Sequence, residues 1–371
     1  MEKIVSITFA LFIAMALASP AGPAGCFSNA KGVEPSREEF HFPTAAIITP
    51  QDRYLLVANS NFNLAWELGT LVVVDLDAVD AMIRTECPDS VCEPFTVQED
   101  FVPEEETVLI GSYASFMALS PEGRRIYMTV RGNNSLTVLN LDEEAAPGER
   151  ITCFDPGDSS RECDANHVVS RSEDISLPSD PYAISVEREG WVFVSHLTSN
   201  EVSVFMVDPG SDIGRDIPPA LLYVDTSFAD SISSIVKHPA RDIFLATSRS
   251  SSSVAAFRFV WDSMDYDNEP RFYFGSSIRM SGLLSGNDAR AIDFSPDGTR
   301  AFISNRSPNS LVIADTTIDE GGWPENEVID VVPLDQGPSM VNVWQPEGWD
   351  RYYVYATCYN ADRLYVIDPI L

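Results

Sequence analysis

Residues 291 to 315 alternate short apolar runs with turn residues. "AIDFS" leads into Pro296-Asp297-Gly298, "RAFISN" into "RSPNS", and "LVIAD" closes the unit. Apolar runs of five or six residues between Pro/Asp/Gly corners predict three short strands joined by tight hairpins. Related units start at Ala45, Met117, Ala183, Ser234 and Met340. The residue that ends each second strand serves as a marker: Asn59, Val130, His196, Thr247, Asn305 and Cys358. These markers are 71, 66, 51, 58 and 53 residues apart. A unit of three or four strands cannot bury both of its faces, whereas stacking such units around an axis covers them and leaves only short edges. The pattern therefore predicts an all-β chain folded as a β-propeller, with six blades favoured and seven the alternative.

The final unit stops after its third strand, at "LYVIDPIL". A strand from residues 30 to 42 is expected to complete it, closing the ring by joining the N-terminal side to the C-terminal blade. The two widest spacings hold two cysteine-bearing segments, expected as loop insertions near 78–112 and 143–179. Residues 27–371 then form a single propeller domain.

"SPDGTRAFISNRSPNSLVIAD" resembles the YVTN-type β-propeller repeat, and "YATCYNADRLYVID" carries the same signature with Cys358 in the usual Asn place. The resemblance covers nearly all of the mature chain. It implies the propeller and a kinship with exported, lactonase-like proteins, but it carries no catalytic residue onto any position here, because a propeller is a scaffold whose function lies in its loops.

The N-terminus changes the compartment. Lys3 precedes an apolar stretch from Ile4 to Ala18, too short for a comfortable membrane span and followed by small residues. Residues 1–26 thus read as an export signal. Cleavage before Ser19 competes with a lipobox-like "PAGC", in which Cys26 is the lipid-attachment candidate. The expected location is the bacterial periplasm, the outer membrane as a lipoprotein, or the medium.

Cysteine spacing agrees with export. Cys87 and Cys92, and Cys153 and Cys163, lie in short polar segments that local disulfides would close, and neither pair has the spacing of a usual zinc site. Cys358 sits in an apolar run, as a buried thiol or a partner for Cys26.

A net charge of -32 disfavours nucleic acid and anionic lipid as partners. The chain contains no G-x-S-x-G, H-E-x-x-H, Gly-rich phosphate loop or C-x-x-C-H. Four histidines share no ligand spacing, and His196 and His238 read as structural substitutions within the repeat. "DYDNE" from Asp265 and "DPGDSSRECDAN" from Asp155 offer oxygen ligands of the kind Ca²⁺ prefers, yet neither fits an EF-hand. No cofactor is expected, with Ca²⁺ the weak exception.

Loops entering the innermost strands gather at one mouth of a propeller channel. The repeat alignment places Phe42, Ala114, Asp180, Ser231, Asp288 and Gly337 there, and next but one Thr44, Phe116, Tyr182, Ser233, Arg290 and Ser339. Asp180, Tyr182, Asp288 and Arg290 are the convergent polar candidates. Two functions are compatible with this pattern. One is a non-catalytic binding scaffold, monomeric, holding an envelope protein or another macromolecule. The other is a lactonase-like or related hydrolase working at the channel mouth.

Overall fold

The computed structural model describes residues 32–86, 101–155, 157–170, 177–187, 190–206, 220–260, 271–280, 287–345, 348, 350–361 and 363–369. The compact body is Glu34–Leu371. Six antiparallel sheets form a six-blade β-propeller, and this settles the count that the repeats left between six and seven. Each blade is a meander. Its inner strands are Pro43–Ile48, Ala114–Leu119, Pro181–Val186, Ile232–Lys237, Asn287–Phe294 and Pro338–Trp344, lying side by side in that order.

The core sits between blades. Leu56, Leu71 and Val73 of blade 1 pack with Met117, Ile126 and Leu139 of blade 2, and equivalent clusters fill the next four seams. Second strands such as Arg125–Val130 and Trp191–His196 are buried along their whole length because both faces meet a neighbour. This is why they read as continuous apolar runs rather than alternating ones. Each of these five seams also carries a bond from a side chain to an inner-strand carbonyl. Thr44 Oγ1 donates to Ala114 O at 2.8 Å, Thr129 Oγ1 to Tyr182 O at 2.5 Å, and Ser195 Oγ to Ile232 O at 3.1 Å. Ser233 Oγ donates to Ala289 O at 2.6 Å and Arg306 Nε to Pro338 O at 2.8 Å.

The expected pairing of residues 30 to 42 with the last blade is not seen. Residues 32–42 contain no strand, and blade 6 has three strands among the described residues. The N-terminal leg is held along blade 1 instead. Thr107 Oγ1 donates to Arg37 O at 2.7 Å, Asn59 Nδ2 to Glu39 O at 2.9 Å, and His41 N to Asn59 Oδ1 at 3.1 Å. These side chains meet the Arg37 and Glu39 carbonyls and the His41 N–H in place of a sheet ladder.

Helix Leu76–Glu86 departs from the all-strand expectation. Asp75 Oδ1 accepts from the backbone N–H of Asp77 and Ala78 at 3.0 and 3.1 Å, an N-cap at the end of a strand. Leu76 and Val79, with Phe40 and Phe101, cover Val57, Val72 and Val74 on the face of blade 1 away from blade 2. The expected insertions contain the outer strands of their own blades, Val108–Ile110 and Val168–Ser170.

Cys153 and Cys163 form a disulfide; Cys87, Cys92 and Cys26 lie outside the described residues. Cys358 is a buried thiol. The loop closed by the disulfide docks on the edge of blade 1, where Leu109 N donates to Arg161 O at 2.9 Å and Cys163 N to Leu109 O at 3.1 Å. A paired edge is a protected edge. The bridge spans a separation of 10 residues, and reducing it lowers stability by about 2–3 kcal/mol. Thermal melts with and without reductant check this; an unchanged melt would count against the loop's contribution.

Candidate functional site

Every inner strand begins with the same backbone device. Phe42, Tyr113, Asp180, Ser231, Asp288 and Gly337 all have positive φ, between 53° and 78°, and each blade's register slips just after this residue. Left-handed backbone at a non-glycine residue costs on the order of 1 kcal/mol, so five of these six positions hold strain that the surrounding sheet enforces. Three of these residues, Asp180, Ser231 and Asp288, line one cavity. The structure corrects the repeat alignment at two places. In blade 2 the mouth positions are Tyr113 and Ser115, in place of Ala114 and Phe116. In blade 4 the strand-end marker is Ser248, which pairs with Ile232, rather than Thr247. In blade 2 the adjacent apolar residues Phe116 and Met117, and in blade 4 the similar polar residues Thr247 and Ser248, leave the position open by one residue in a pattern of apolar and polar residues.

Asp180 and Asp288 line one mouth cavity of about 690 Å³, together with Arg131, Ser231, Arg249 and Asn287. Asp180 is paired through Oδ1 with Arg131 Nε, and its backbone N–H donates to Asn134 Oδ1 at 2.8 Å. Its other carboxylate oxygen is buried without a hydrogen-bond partner. Asp288 is flanked by two cations. Arg290 donates to its Oδ2 at 2.9 Å, and Arg249 Nε lies 3.8 Å from its Oδ1. Arg290 Nε lies 2.8 Å from the same Oδ1 without hydrogen-bond alignment. Tyr182 and Arg290 stand two residues further along their strands. The Tyr182 ring meets Phe116 edge-on at 5.0 Å and lies 5.7 Å from the Arg131 guanidinium.

Arg131, Arg249 and Arg306 escape the sequence reading. Each directly follows the residue that ends a second strand, a repeat position shared by blades 2, 4 and 5. In a chain with 24 basic residues among 371, three arginines at one repeat position is the signal that could have found them. Arg306 fixes blade 6 by donating to Pro338 O and, at 2.7 Å, to Ser339 Oγ. Burial, and then the neighbouring Arg290 cation, hold its pKa below the usual arginine value. Arg131 and Arg249 line the cavity with Asp180 and Asp288, two charges of each sign, while Arg290 pairs with Asp288 and Arg306 lies within electrostatic reach of it. Guanidinium groups held this way match planar carboxylate and phosphate groups.

The other candidates are structural. Thr44 and Ser233 are committed to the seams described above. His196 is buried, its Nδ1 bonded to Ser179 O at 3.0 Å and its Nε2 to Ser203 Oγ at 2.8 Å. Burial lowers its pKa to about 4 against the opposing pull of the Ser179 carbonyl, Glu201 and Asp180. His238 Nε2 bonds Gly298 O at 2.9 Å, and a Cβ on Gly298 would approach that ring to 2.4 Å, which is why the Pro-Asp-Gly corner ends in glycine. Asn305 Nδ2 donates to Pro308 O at 2.8 Å, clamping its turn. Asp164 accepts from Asn166 N at 2.8 Å and faces His167 at 2.9 Å, while the loop from Asp265 lies outside the described residues. Among the described residues no group of three or more His, Cys, Asp and Glu side chains is arranged to hold a metal ion.

No family model matches the chain, and no curated protein matches it. Among solved structures it is similar to a 6-phosphogluconolactonase candidate from Bacteroides uniformis, at 14% identity and TM-score 0.57, covering 88% of this chain and 80% of that one. It is also similar to hydrazine synthase from Kuenenia stuttgartiensis, at 14% identity and TM-score 0.56, covering 88% and 83%. A third is the Cps50 (Swd1) β-propeller domain of Myceliophteria thermophila, at 11% identity and TM-score 0.54, again covering 88% and 83%. Proteins this different in name share the architecture, so these likenesses establish the fold alone.

Proposed function

We propose that the protein is a lactonase-like hydrolase of sugar-acid lactones, exported and working at the channel mouth. The observation that carries the reading is the mouth cavity itself, where Arg131 and Arg249 stand beside Asp180 and Asp288, and one oxygen of Asp180 has no hydrogen-bond partner. The likeness to the Bacteroides uniformis lactonase candidate supports it at the level of the scaffold. A lactone carbonyl gains negative charge as water adds to it, and preorganised cations are most effective where charge develops. Arg131 and Arg249 line the cavity for that role. Asp180, in the cavity lining, is the base: its carboxylate accepts a proton from the attacking water as the new C–O bond forms. The ring C–O bond then breaks, the proton passes to the departing alkoxide, and the product is a hydroxy acid. Asp288, held by Arg249 and Arg290, positions those cations rather than taking part in proton transfer.

The test is acid release from sugar δ-lactones, with and without a phosphate group, followed by pH-stat above the buffer rate. Asp180→Asn is expected to lower kcat by about 10²-fold or more, the usual worth of a general base, with thermal stability as a control. Arg249→Ala is expected to raise KM. Buffer-level rates with every lactone would remove the hydrolase reading and return the chain to a binding scaffold for an envelope partner.

A further inference from the structure

Beside the mouth cavity lies a group of rings, two of them exposed and three partly buried, that neither the repeat nor the hydrolase reading requires. Phe42 and Phe62 are 40% and 58% exposed. The Phe42 and Phe62 rings are 6.2 Å apart, Phe62 meets Tyr113 edge-on at 5.5 Å, and His41 bridges Phe42 to Trp66 at 5.0 and 5.9 Å. The group adjoins the mouth through the backbone: Tyr113 O accepts from Arg131 N at 3.1 Å, and Arg131, which lines the cavity, pairs with Asp180.

The platform is rigid. Buried Asn61 donates from Nδ2 to Trp66 O at 2.8 Å and to Ser112 Oγ at 2.9 Å, and accepts at Oδ1 from Trp66 N at 3.2 Å. Those bonds fix the loop that carries Phe62 to blade 2. Phe42, Asn61, Leu64 and Tyr113 all keep positive φ, between 50° and 61°, so this surface is maintained at a cost in backbone strain. Water-facing aromatic rings held without freedom to collapse are preorganised for a ligand, because little entropy remains to be lost on binding.

We infer that this aromatic group binds the outer rings of a short acidic oligosaccharide whose terminal sugar acid occupies the mouth cavity. The inference rests on the reading of the mouth as a sugar-acid site and extends it from a single sugar to an oligomer. The negative faces of exposed aromatic rings attract the polarised C–H face of a pyranose. The adjoining arginines supply the charge complementarity that selects a carboxylated sugar over a neutral one. The acidity of the whole chain limits the length of such a ligand, since a long polyanion would meet repulsion beyond the mouth.

The test is equilibrium binding by calorimetry, with galacturonate, its trimer and a neutral galactose trimer as probes, on the full mature chain. The acidic trimer is expected to bind at least tenfold tighter than galacturonate and than the neutral trimer. Phe62→Ala, at an exposed position, is expected to abolish the advantage of the trimer and leave galacturonate affinity unchanged. Phe42→Gly, which suits the left-handed backbone, is a second variant with the same expectation. Equal affinity for galacturonate and its trimer, equal affinity for acidic and neutral trimers, no measurable binding of any of them, or a trimer advantage retained in both variants overturns the inference. Because none of these probes is a lactone, failure of hydrolysis leaves this readout intact, and hydrolysis without a trimer advantage sinks only the extended site.

Discussion

Replacing Arg150 with Met is expected to lower the unfolding free energy by about 3–5 kcal/mol, the cost of leaving a buried carboxylate without its cation. The carboxylate is Glu106, which is fully buried, pairs with Arg150 through Oε1 and also accepts there from Gly148 N at 3.0 Å. Its Oε2 has no hydrogen-bond partner. A second cation, Arg161, is spent on backbone carbonyls: it donates to Thr107 O at 2.9 Å and Glu106 O at 3.2 Å, and also to Gly148 O. It therefore cannot swing over to replace Arg150 without leaving those carbonyls unmet. These groups join the outer strand of blade 1 to the segment leading into the disulfide loop, so the loss should register cooperatively in urea unfolding. The double variant Arg150→Met with Glu106→Leu removes both charges and is expected to recover most of the loss, since a buried ion pair is seldom worth more than well-packed apolar side chains. A single variant as stable as the parent would show that Glu106 is reached by water in solution.

Acid should weaken the protein through His196. Its pKa falls from 6.5 to about 4 on folding, chiefly because burial penalises the imidazolium. Between those values the unfolded chain holds a proton at this residue that the folded chain refuses, so stability falls as the pH drops through that window and is fully present above it. A gap of about 2.5 pKa units corresponds to about 3 kcal/mol, present at pH 7 and mostly lost by pH 4.5. The equivalent strand-end positions of blades 1 and 5 are Asn59 and Asn305. His196→Asn places the repeat's own residue there, uncharged at every pH. Unfolding free energies at pH 7 and pH 4.5 should then differ less in the variant than in the parent, by about 2 kcal/mol. Equal pH dependence in the two would assign the acid sensitivity to other groups.

The legible parts of the sequence were those with a local cause. Runs such as "RAFISN" and "LVIAD" between turn residues recur because each blade must bury both faces of its strands against neighbours, and that recurrence announced the propeller. Asp180 and Asp288 could be placed at the mouth because repeat position sets spatial position in such a ring. Tertiary contacts decided the rest. Residue Asp75 ends a strand and caps a helix, and nothing in the blade pattern distinguishes that from an inserted loop. Every blade carries the same bulge; in blade 2 the adjacent apolar residues Phe116 and Met117 leave the start of the unit open by one position, and the alignment puts Ala114 where the structure has Tyr113.

By itself, then, the sequence determined the class of fold, favoured six blades over seven and gave Asp180 and Asp288 equivalent repeat positions, because all of these follow from short-range alternation repeated along the chain. Only the tertiary structure decided which cations meet those aspartates, that the N-terminal leg lies along blade 1, and that Thr44 and Ser233 serve the seams. These depend on where separate blades converge. Arg131 and Asp180 are 49 residues apart and Ser233 and Ala289 56, distances along the chain at which local propensity carries no information about contact.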